Sequence, residues 1–589
     1  MPHAASINSF ETPSAASSLF DYTGRKLVAN QMRRASGLHC NLVLGLKASG
    51  LALPLDGLHT GNSAKASALY RGEFGFCEKT VIRSEKNIFA EKAMSTDWMR
   101  ALHGFSWLAD MRAAGRELAR AQSRSLIGEW ISAQKLTASP KGKGITNKSD
   151  VIARRTISWL QHGPFLLHRC PQSFKGQFFS SITQQARCLH KRTYSEKNSL
   201  KRLQAAIALT YAALGLTGFE NLRERAFERL TGELDVQILA DGGHISRNPQ
   251  VLRDLLADLV PLRSALEAAR MEIPARLNAA LERMLPALRF FTYGDGGLAV
   301  FNGVNDTRAG LVRRILATDG VCGTPLSHAI HSGYIRLQQG NSTVMVDVGK
   351  PTMPAINQRA TASILAFEFC DGGTRLITNC GAIQFGDQAW DDAARSTQAH
   401  STLCIDDQPA SGILGGALTR LAFGGPVVLS APNITADLET SSQGTVFTGS
   451  QDGYHKSHGV THQRQLFLDA SGMDFRGQDS FFIDPQYQGN RAPFAIRFHL
   501  HPSVRATISQ DGASAMLLLA NKTGWRFSAR GAQLKLEDSV FLPENGRVRK
   551  TSQLVLRGAV GRPEKVLWAF KRIEKRKGAK VETDTPQLL

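Results

Sequence analysis

The chain has 589 residues, of which 42% are hydrophobic and 21% charged, values that are ordinary for a globular protein. This length allows two or three domains, and no apolar run reaches the roughly 18 residues that a membrane-spanning helix needs. The net charge of +21 indicates general solubility or an anionic partner; no zinc-finger or RNA-binding signature accompanies it, which argues against specific nucleic-acid binding.

Residues 1–94 are predicted to form an N-terminal arm, partly disordered because Ser, Ala and Gly are frequent and hydrophobic periodicity is weak. A short hairpin is predicted within residues 71–93, where apolar and polar residues alternate. The first 20 residues lack the basic and apolar regions of a secretory signal peptide. The eight cysteines are scattered without a CxxC pair, which predicts buried free thiols rather than a disulfide framework.

Residues 95–325 have a helical pattern. Trp98, Leu102, Phe105 and Met111 recur at three-to-four spacing, and Ser95 precedes them as a cap candidate. Long helices with short connectors fold as antiparallel neighbours, which predicts a bundle or a closed ring of helical hairpins. The other predicted helices span about 117–134, 151–168, 174–192, 200–216, 219–239, 250–270 and 275–292.

Two polar loops interrupt the helices. The first contains His244, Arg247 and Asn248 in Asp-Gly-Gly-His-Ile-Ser-Arg-Asn-Pro, and the second contains Asn302 after a Gly-rich run. Loops at the ends of a rigid helical scaffold often carry binding residues. The alternative is that these residues form turns and caps, because Asp-Gly-Gly is a good turn and Asn-Pro a good helix start.

Residues 326–575 are strand-rich, with Gly, Asn and Asp at short intervals, and this pattern predicts a large antiparallel β-sandwich. Residues 576–589 are predicted to be a basic and polar tail. The fold class is therefore a helical domain followed by an all-β domain. The predicted strands span 334–338, 343–348, 363–369, 374–379, 401–405, 419–423, 434–438, 463–469, 472–476, 494–500, 503–508, 514–520, 524–528, 532–537, 550–557 and 565–571.

Three side chains of the strand-rich half form a candidate metal site. His331, Asp347 and His400 together offer two imidazoles and a carboxylate, which suit a divalent ion such as zinc. The alternative is that they are ordinary polar residues at a loop-rich end of the sheet. From the residue types alone both interpretations stay open.

A second polar cluster lies further along the chain. Tyr454, His458 and Arg464 fall within thirteen residues that also include His455 and His462. A strand edge that lines a substrate cleft would explain this density of polar groups, and we predict Tyr454, His458 and Arg464 as substrate-binding residues together with the loop asparagine at 302. A solvent-exposed hairpin is the alternative.

The order of the two halves and several short phrases resemble the heparinase II/III-like family of polysaccharide lyases, in its alphaproteobacterial branch. The resemblance covers roughly residues 70–573 and implies an incomplete (α/α) toroid of the chondroitin AC/alginate lyase-like kind, joined to an antiparallel β-sandwich. The phrases that carry it are Leu102-His-Gly-Phe-Ser-Trp107, Asp241 to Pro249, Phe301-Asn-Gly303, His331-Ser-Gly-Tyr334, Val346-Asp-Val-Gly349, Ala399-His-Ser-Thr402 and Arg497-Phe-His-Leu-His-Pro502.

The resemblance also implies a function: β-elimination on a uronate-containing, anionic polysaccharide, in the cell envelope or periplasm. Without a visible signal peptide, a cytoplasmic location stays open, as does an oligomeric state. His331 and Asp347 are 16 residues apart (347 − 331), as the zinc-binding His and Asp of the family would be, and His400 matches the later His. The resemblance implies a structural role for that zinc.

The chemistry requires a base that removes the C5 proton and a group that neutralises the adjacent carboxylate. Where relatives carry a catalytic Tyr and His, this chain has Pro249 and Gln250. His244 could serve as base and Asn248 or Arg247 as neutraliser in the same loop.

Tyr334, on the sandwich side, could replace the missing base, or could simply be a packed aromatic residue. His328 is the nearest match to a further catalytic His. Two hypotheses follow: a polysaccharide lyase, or a non-catalytic carbohydrate-binding or envelope-assembly protein that has kept the fold and lost the catalytic Tyr.

Overall fold

A computed structural model shows a helical first half followed by a strand-rich second half, as the sequence predicts. The predicted C-terminal tail, the strand at 419–423 and residues 1–9 and 12–44 of the predicted arm lie outside the described residues. The structure describes residues 10–11, 45–77, 79–83, 87–90, 94–136, 144–307, 309–318, 325–352, 359–383, 388–414, 427–430, 432–489, 491–544, 547–561 and 564–573.

The helices of the first half form the toroid. They begin where short polar residues cap free backbone N–H groups: the Ser95 hydroxyl accepts from the amide of Trp98 (3.3 Å), and the Asn198 side chain accepts from the amide of Lys201 (3.0 Å). The helices are α1 Ser63–Tyr70, α2 Thr96–Gly104, α3 Leu108–Ala114, α4 Glu117–Leu136, α5 Ser149–Gln161, α6 Gly163–Leu167, α7 Gln172–Ser195, α8 Ser199–Gly215, α9 Arg223–Gln237, α10 Pro249–Ala268, α11 Ala275–Phe290 and α12 Ala309–Ala317.

The core of the toroid is aromatic where α2, α4, α5 and α7 meet. The Phe105 and Trp130 rings each pack edge-on against Trp159, which stacks on Phe178 at 5.3 Å between ring centroids. The guanidinium of Arg155 lies 4.2 Å from the centroid of the Trp130 ring. Among the described helices, none is long and apolar enough to cross a membrane.

Much of the predicted N-terminal arm belongs to this helical body. Leu55, Leu69 and Phe74 are buried in the same apolar cluster as the toroid helices. The strand β2 (Gly50–Leu51) pairs with β5 (Leu216–Thr217), directly after α8. The predicted hairpin is present as β3 (Glu73–Phe76) paired with β4 (Lys79–Ile82). Burial of these side chains holds the segment against the toroid.

The second half is a sandwich of two antiparallel sheets, each of nine strands among the described residues. In spatial order, the first sheet consists of β1 Phe10–Glu11, β14 Ile434–Thr440, β15 Gly444–Tyr454, β16 Val460–Asp469, β17 Asp474–Ile483, β24 Lys565–Ile573, β21 Gly524–Arg530, β20 Ser514–Leu518 and β19 Arg505–Ile508. The second consists of β22 Gln533–Glu544, β23 Arg547–Ala559, β18 Pro493–Leu500, β10 Thr374–Thr378, β9 Phe367–Asp371, β8 Ser342–Asp347, β7 Tyr334–Gln339 and β6 His328–Ala329, with β11 Leu403–Ile405 also paired to β18.

Three smaller elements accompany the sandwich: α13 Gln388–Arg395, the short helix α14 His455–His458, and the strand pair β12 Gly412–Leu414 with β13 Val427–Ser430. The sequence pattern does not predict β15, because its residues are mostly Gly, Ser, Thr and Gln. Pairing with β14 on one side and β16 on the other makes it a strand.

A buried polar network links the two sheets. Arg464 on β16 donates from Nε to Asp479 Oδ1 on β17 (2.8 Å) and from Nη1 to the carbonyls of Leu365 (2.8 Å) and Ser401 (3.1 Å), which precede strands of the second sheet. The Arg464 and Asp479 side chains are both fully buried. Burial alone would raise the pKa of the Asp479 carboxyl. The charge of Arg464 outweighs this effect and holds the pKa well below its usual range.

Replacing Asp479 with Asn should strongly destabilise the sandwich. The change leaves the Arg464 charge buried without its counter-ion, and losing one partner of such a pair costs about 3–5 kcal/mol of unfolding free energy. Chemical denaturation monitored by tryptophan fluorescence measures this cost.

The matched control is Asp474→Asn on the same strand, whose carboxylate pairs with Arg476 in a partly exposed position. Its cost should be at most about 1 kcal/mol. Equal costs for the two substitutions would contradict the assigned role of the buried network.

Candidate functional site at the junction of toroid and sandwich

Arg247, in the loop before α10, is the central side chain of the junction. Its guanidinium donates from Nε to the carbonyl of Ser332 (2.7 Å), from Nη1 to the carbonyl of Lys350 (3.0 Å) and from Nη2 to the carbonyl of Gly333 (3.0 Å). Nη2 also contacts Oδ1 of Asp347 at the end of β8. A toroid side chain therefore holds three carbonyls and one carboxylate of the sandwich.

Glycines make room for this guanidinium. A Cβ atom at Gly349 would lie 2.2 Å from Nη2 of Arg247, and one at Gly333 would lie 2.5 Å from the Cα of Gly349. Gly333 also has a φ of +70°, in the left-handed region that favours glycine. The glycines of the phrases His-Ser-Gly-Tyr and Val-Asp-Val-Gly are thus explained by close packing around Arg247.

Asp347 has hydrogen-bond partners at both oxygen atoms. Oδ1 accepts from the amide of Gly349 (3.1 Å) in addition to Arg247. Oδ2 accepts from the hydroxyl of Ser363 (2.7 Å) and from Nδ2 of Asn302 (3.4 Å). The carboxylate is 1% exposed, so its charge is balanced inside the protein by the guanidinium.

The predicted metal trio is not assembled. His331 is exposed in the turn before β7, whereas Asp347 and His400 are buried. His400 donates from Nδ1 to the carbonyl of Ser396 (2.8 Å), and burial lowers its pKa to about 4. Among the described residues no group of three or more His, Cys, Asp or Glu side chains could hold a metal ion. As placed, these residues do not fit a divalent metal, and zinc binding stays a prediction.

Tyr334, predicted as a substitute base, is fully buried between the two domains. Its hydroxyl donates to the carbonyl of Arg247 (2.7 Å) and accepts from Nδ2 of Asn302 (2.6 Å). Burial raises the pKa of Tyr334 well above its usual value near 10. Asn302, predicted to bind substrate, is itself fully buried and holds Tyr334 and Asp347 in place. The packed-aromatic interpretation of Tyr334 fits the structure.

His244, predicted as the base of the toroid loop, is also buried. Its Nδ1 lies 2.8 Å from the hydroxyl of Ser246, and its Nε2 lies 3.1 Å from Oε1 of Gln237 on α9. Burial lowers its pKa to about 3. Both ring nitrogens are engaged by protein groups, so as placed His244 has no nitrogen available to a polymer.

Asn248 is the N-cap of α10: its Oδ1 accepts from the amide of Gln250 (2.8 Å), so the cap interpretation is correct for this residue. His328 on β6 is half-buried and lies 2.8 Å from the hydroxyl of Ser327 through Nδ1. Burial lowers the pKa of His328 below its usual value. Of the residues predicted to be catalytic, His328 keeps the most exposure.

The predicted substrate-binding residues further along the chain belong to the sandwich. Tyr454 is buried in the sandwich, where its hydroxyl donates to the carbonyls of Leu403 and Gln408. Arg464 is the buried arginine of the inter-sheet network. Both side chains therefore lie inside the sandwich as placed, and their role in substrate binding stays a prediction. Every second residue of β16 faces inward, which places Arg464 in the core. His458 is half-buried on α14, with Nε2 3.8 Å from Asp406.

Comparison with known proteins identifies the family. The heparinase II/III-like C-terminal domain matches residues 322–577. FtsZ-localized protein C of Caulobacter vibrioides (strain NA1000 / CB15N) is 32% identical over 483 residues, which cover 80% of this chain and 82% of that protein. The chain belongs to the heparinase II/III-like family.

Solved structures of heparinases share this fold at low sequence identity. Heparinase III is 15% identical, with a TM-score of 0.68 over 94% of this chain and 92% of that one. A mutant of the heparan sulfate lyase HepC from Pedobacter heparinus is also 15% identical, with a TM-score of 0.60 over 97% of this chain and 93% of that one. The toroid and sandwich are therefore the heparinase III architecture.

Sequence reasoning missed Asp241 and Arg336 as junction residues of this heparinase II/III-like chain. Asp241 accepts from the amide (2.6 Å) and hydroxyl (2.9 Å) of Ser332 across the two domains. Arg336 on β7 donates to the carbonyls of Phe290 (2.7 Å) and Thr292 (3.1 Å) at the end of α11. The Asp-Gly-Gly turn was a visible signal for Asp241, but Arg336 has no local motif.

Acidification from about pH 7 to pH 5 should lower the thermal stability of the chain. Burial holds the pKa of His103 and His244 at about 3 and that of His190 at about 4, whereas the usual value is 6.5. The unfolded chain therefore takes up protons that the folded chain does not, so the free energy of unfolding falls as the pH drops below the unfolded value. Melting temperatures measured across this range test the effect.

The matched variant His190→Gln removes one of these groups and should make the melting temperature less dependent on pH. A melting temperature that stays constant or rises between pH 7 and pH 5 would contradict the assignment of neutral buried histidines.

Proposed function

We propose that the chain is a non-catalytic member of the heparinase II/III-like family that acts in envelope assembly at the FtsZ-marked division site. The observation that carries this proposal is the state of the toroid loop. The loop residues that elimination chemistry would use are buried and engaged by protein groups: His244 bonds within the toroid, Asn248 caps α10 and Arg247 joins the two domains. The loop therefore serves as part of the protein's framework.

The absence of an effective base in this loop supports the proposal. A base that removes the C5 proton of a uronate needs a pKa near the working pH and direct access to the sugar. His244 is buried with a pKa of about 3, and Tyr334 is buried with a pKa far above neutral. At neutral pH His244 is a weak base, and Tyr334 holds its proton.

The side chains that could neutralise the substrate's carboxylate are also engaged by groups of the protein. Elimination needs a donor or cation that stabilises charge on the substrate's carboxylate. The Arg247 guanidinium is already paired with Asp347 and three carbonyls, and the Asn248 side chain caps α10. Releasing Arg247 to a substrate would leave Asp347 charged and buried without its counter-ion, which is unfavourable.

The relative from Caulobacter vibrioides supports the place of action. Its name says that it localises with FtsZ, and its match to this chain covers about four fifths of both proteins. Because the two sequences match over most of their length, we expect this chain to act at the same place in the cell. The net charge of +21 suits an acidic partner at that site, whether a protein or an anionic glycan.

The alternative function is a polysaccharide lyase that cleaves an acidic, uronate-containing glycan in the periplasm. Membership of the family and the heparinase III fold support it. His328 would then be the first candidate for the base, because it keeps the most exposure of the residues predicted to be catalytic. Its Nε2 atom is buried, so a substrate would first have to displace neighbouring groups.

The purified chain should produce no unsaturated uronate from heparin, heparan sulfate or alginate. The measurement is ultraviolet absorbance at the unsaturated-uronate band, with an authentic heparinase III as positive control. Absorbance that grows with enzyme concentration and disappears in His328→Ala would instead establish the lyase, with His328 in the reaction.

A fluorescent fusion of the chain should gather at the division site of its host cell and disperse when FtsZ is depleted. Recruitment through the FtsZ assembly is the physical reason, so the pattern should follow FtsZ in time and position. Protease accessibility of the fusion in spheroplasts then distinguishes a cytoplasmic from a periplasmic location. A uniform distribution that ignores FtsZ would contradict the proposal.

A further inference from the structure

We propose that the Arg247 guanidinium is a built-in cation that takes the place of a divalent metal ion beside Asp347. In this role it pairs the buried carboxylate and fixes the toroid loop to the sandwich without a metal. Arg247 is thus a positioning residue for the whole junction. The inference is independent of whether the chain cleaves a glycan, because it concerns what holds the two domains together.

The charge balance at Asp347 is the first step of the argument. A carboxylate that is 1% exposed needs a positive partner, because an isolated buried charge is strongly unfavourable. Arg247 is in direct contact with Oδ1, while Ser363, Asn302 and the Gly349 amide supply neutral donors. The carboxylate is therefore neutralised and hydrogen-bonded at both oxygens before any metal is considered.

The shape of the surroundings is the second step. Three carbonyls, of Ser332, Gly333 and Lys350, receive the N–H groups of Arg247 at 2.7–3.0 Å, and the ring centroid of Tyr334 lies 4.8 Å from the guanidinium carbon. A planar fork of five N–H donors matches several acceptors at once and stacks on aromatic rings. The pocket is thus built to receive a guanidinium.

The backbone conformation at Arg247 is the third step of the argument. Arg247 has a φ of +57°, in the left-handed region that non-glycine residues rarely adopt. The hydroxyl of Tyr334 donates to the carbonyl of this same residue, which holds the unusual conformation. An unfavourable backbone state persists only where surrounding contacts compensate for it.

A metal ion at Asp347 would have to compete with this guanidinium. Arg247 already contacts Oδ1 of Asp347, and a divalent ion next to the guanidinium would be repelled. His400 donates from Nδ1 to the carbonyl of Ser396, which leaves Nε2 as the nitrogen that could bind a metal. His331 lies exposed in the turn before β7, however, and among the described residues no third His, Cys, Asp or Glu completes a metal site with His400 and Asp347. The position beside Asp347 that the family resemblance assigns to a metal is therefore taken by a side chain from the other domain.

The first experiment measures metal and chelator effects on the full-length wild-type protein. Elemental analysis after purification without chelator should find no stoichiometric zinc, manganese or other divalent metal, and the melting temperature should be unchanged by EDTA. One bound metal per chain, combined with a lower melting temperature in EDTA, would overturn the inference.

The second experiment tests the role of the guanidinium as counter-ion. Arg247→Ala should lower the melting temperature, and low concentrations of guanidinium chloride should raise it again relative to equal sodium chloride. The matched control is the double variant Arg247→Ala/Asp347→Asn, which lacks the buried charge. It should melt above Arg247→Ala and gain nothing from guanidinium.

Two further variants keep the test decisive. Arg247→Lys retains a positive charge but not the fork, so it should fold without metal and melt between wild type and Arg247→Ala; it replaces Arg247→Ala if that variant does not fold. Arg336→Ala removes carbonyl contacts between the domains without unpairing a carboxylate, so guanidinium should not rescue it. Equal melting of single and double variants, with no selective rescue, would refute the counter-ion role.

Discussion

The buried ion pair between Arg247 and Asp347 is the contact on which the junction of the two domains depends. It places a positive charge from the toroid in a pocket made by sandwich carbonyls, and both charges are withdrawn from water. Such a pair contributes little net stability compared with apolar packing, but it is very costly to break. The pair therefore fixes the relative position of the two domains more than it adds to the free energy of folding.

Much of the fold follows from local sequence. The toroid helices show three-to-four hydrophobic spacing, and caps such as Ser95 and Asn198 mark their starts. Strands of the first sheet such as β14, β16 and β20 show period-two alternation, with turn residues between strands. The strand β15 is the informative exception: three of its residues are Gly and several others are polar, and the neighbouring strands β14 and β16 determine its conformation.

The candidate site was less predictable, because residue type does not determine burial. His244 and Tyr334 have side chains suited to acid–base chemistry, yet their neighbours bury them and move their pKa values away from neutrality. Arg464 has the same charge as a substrate-binding arginine, but strand alternation turns it into the core. Four of the family phrases contain residues that pack together between the domains: Asp241 to Pro249, Phe301-Asn-Gly303, His331-Ser-Gly-Tyr334 and Val346-Asp-Val-Gly349.

This arrangement changes how loss-of-function data from the toroid loop must be interpreted. A substitution at Arg247 or Tyr334 would disturb the junction before it disturbed any chemistry, because each side chain bonds to the other domain. A substitution at His244 would disturb the toroid loop itself, where the imidazole bonds to Gln237. Lost activity or lost localisation in such a variant is then evidence about domain assembly. A role in chemistry can be assigned only to a substitution, such as one at half-exposed His328, that leaves thermal stability intact.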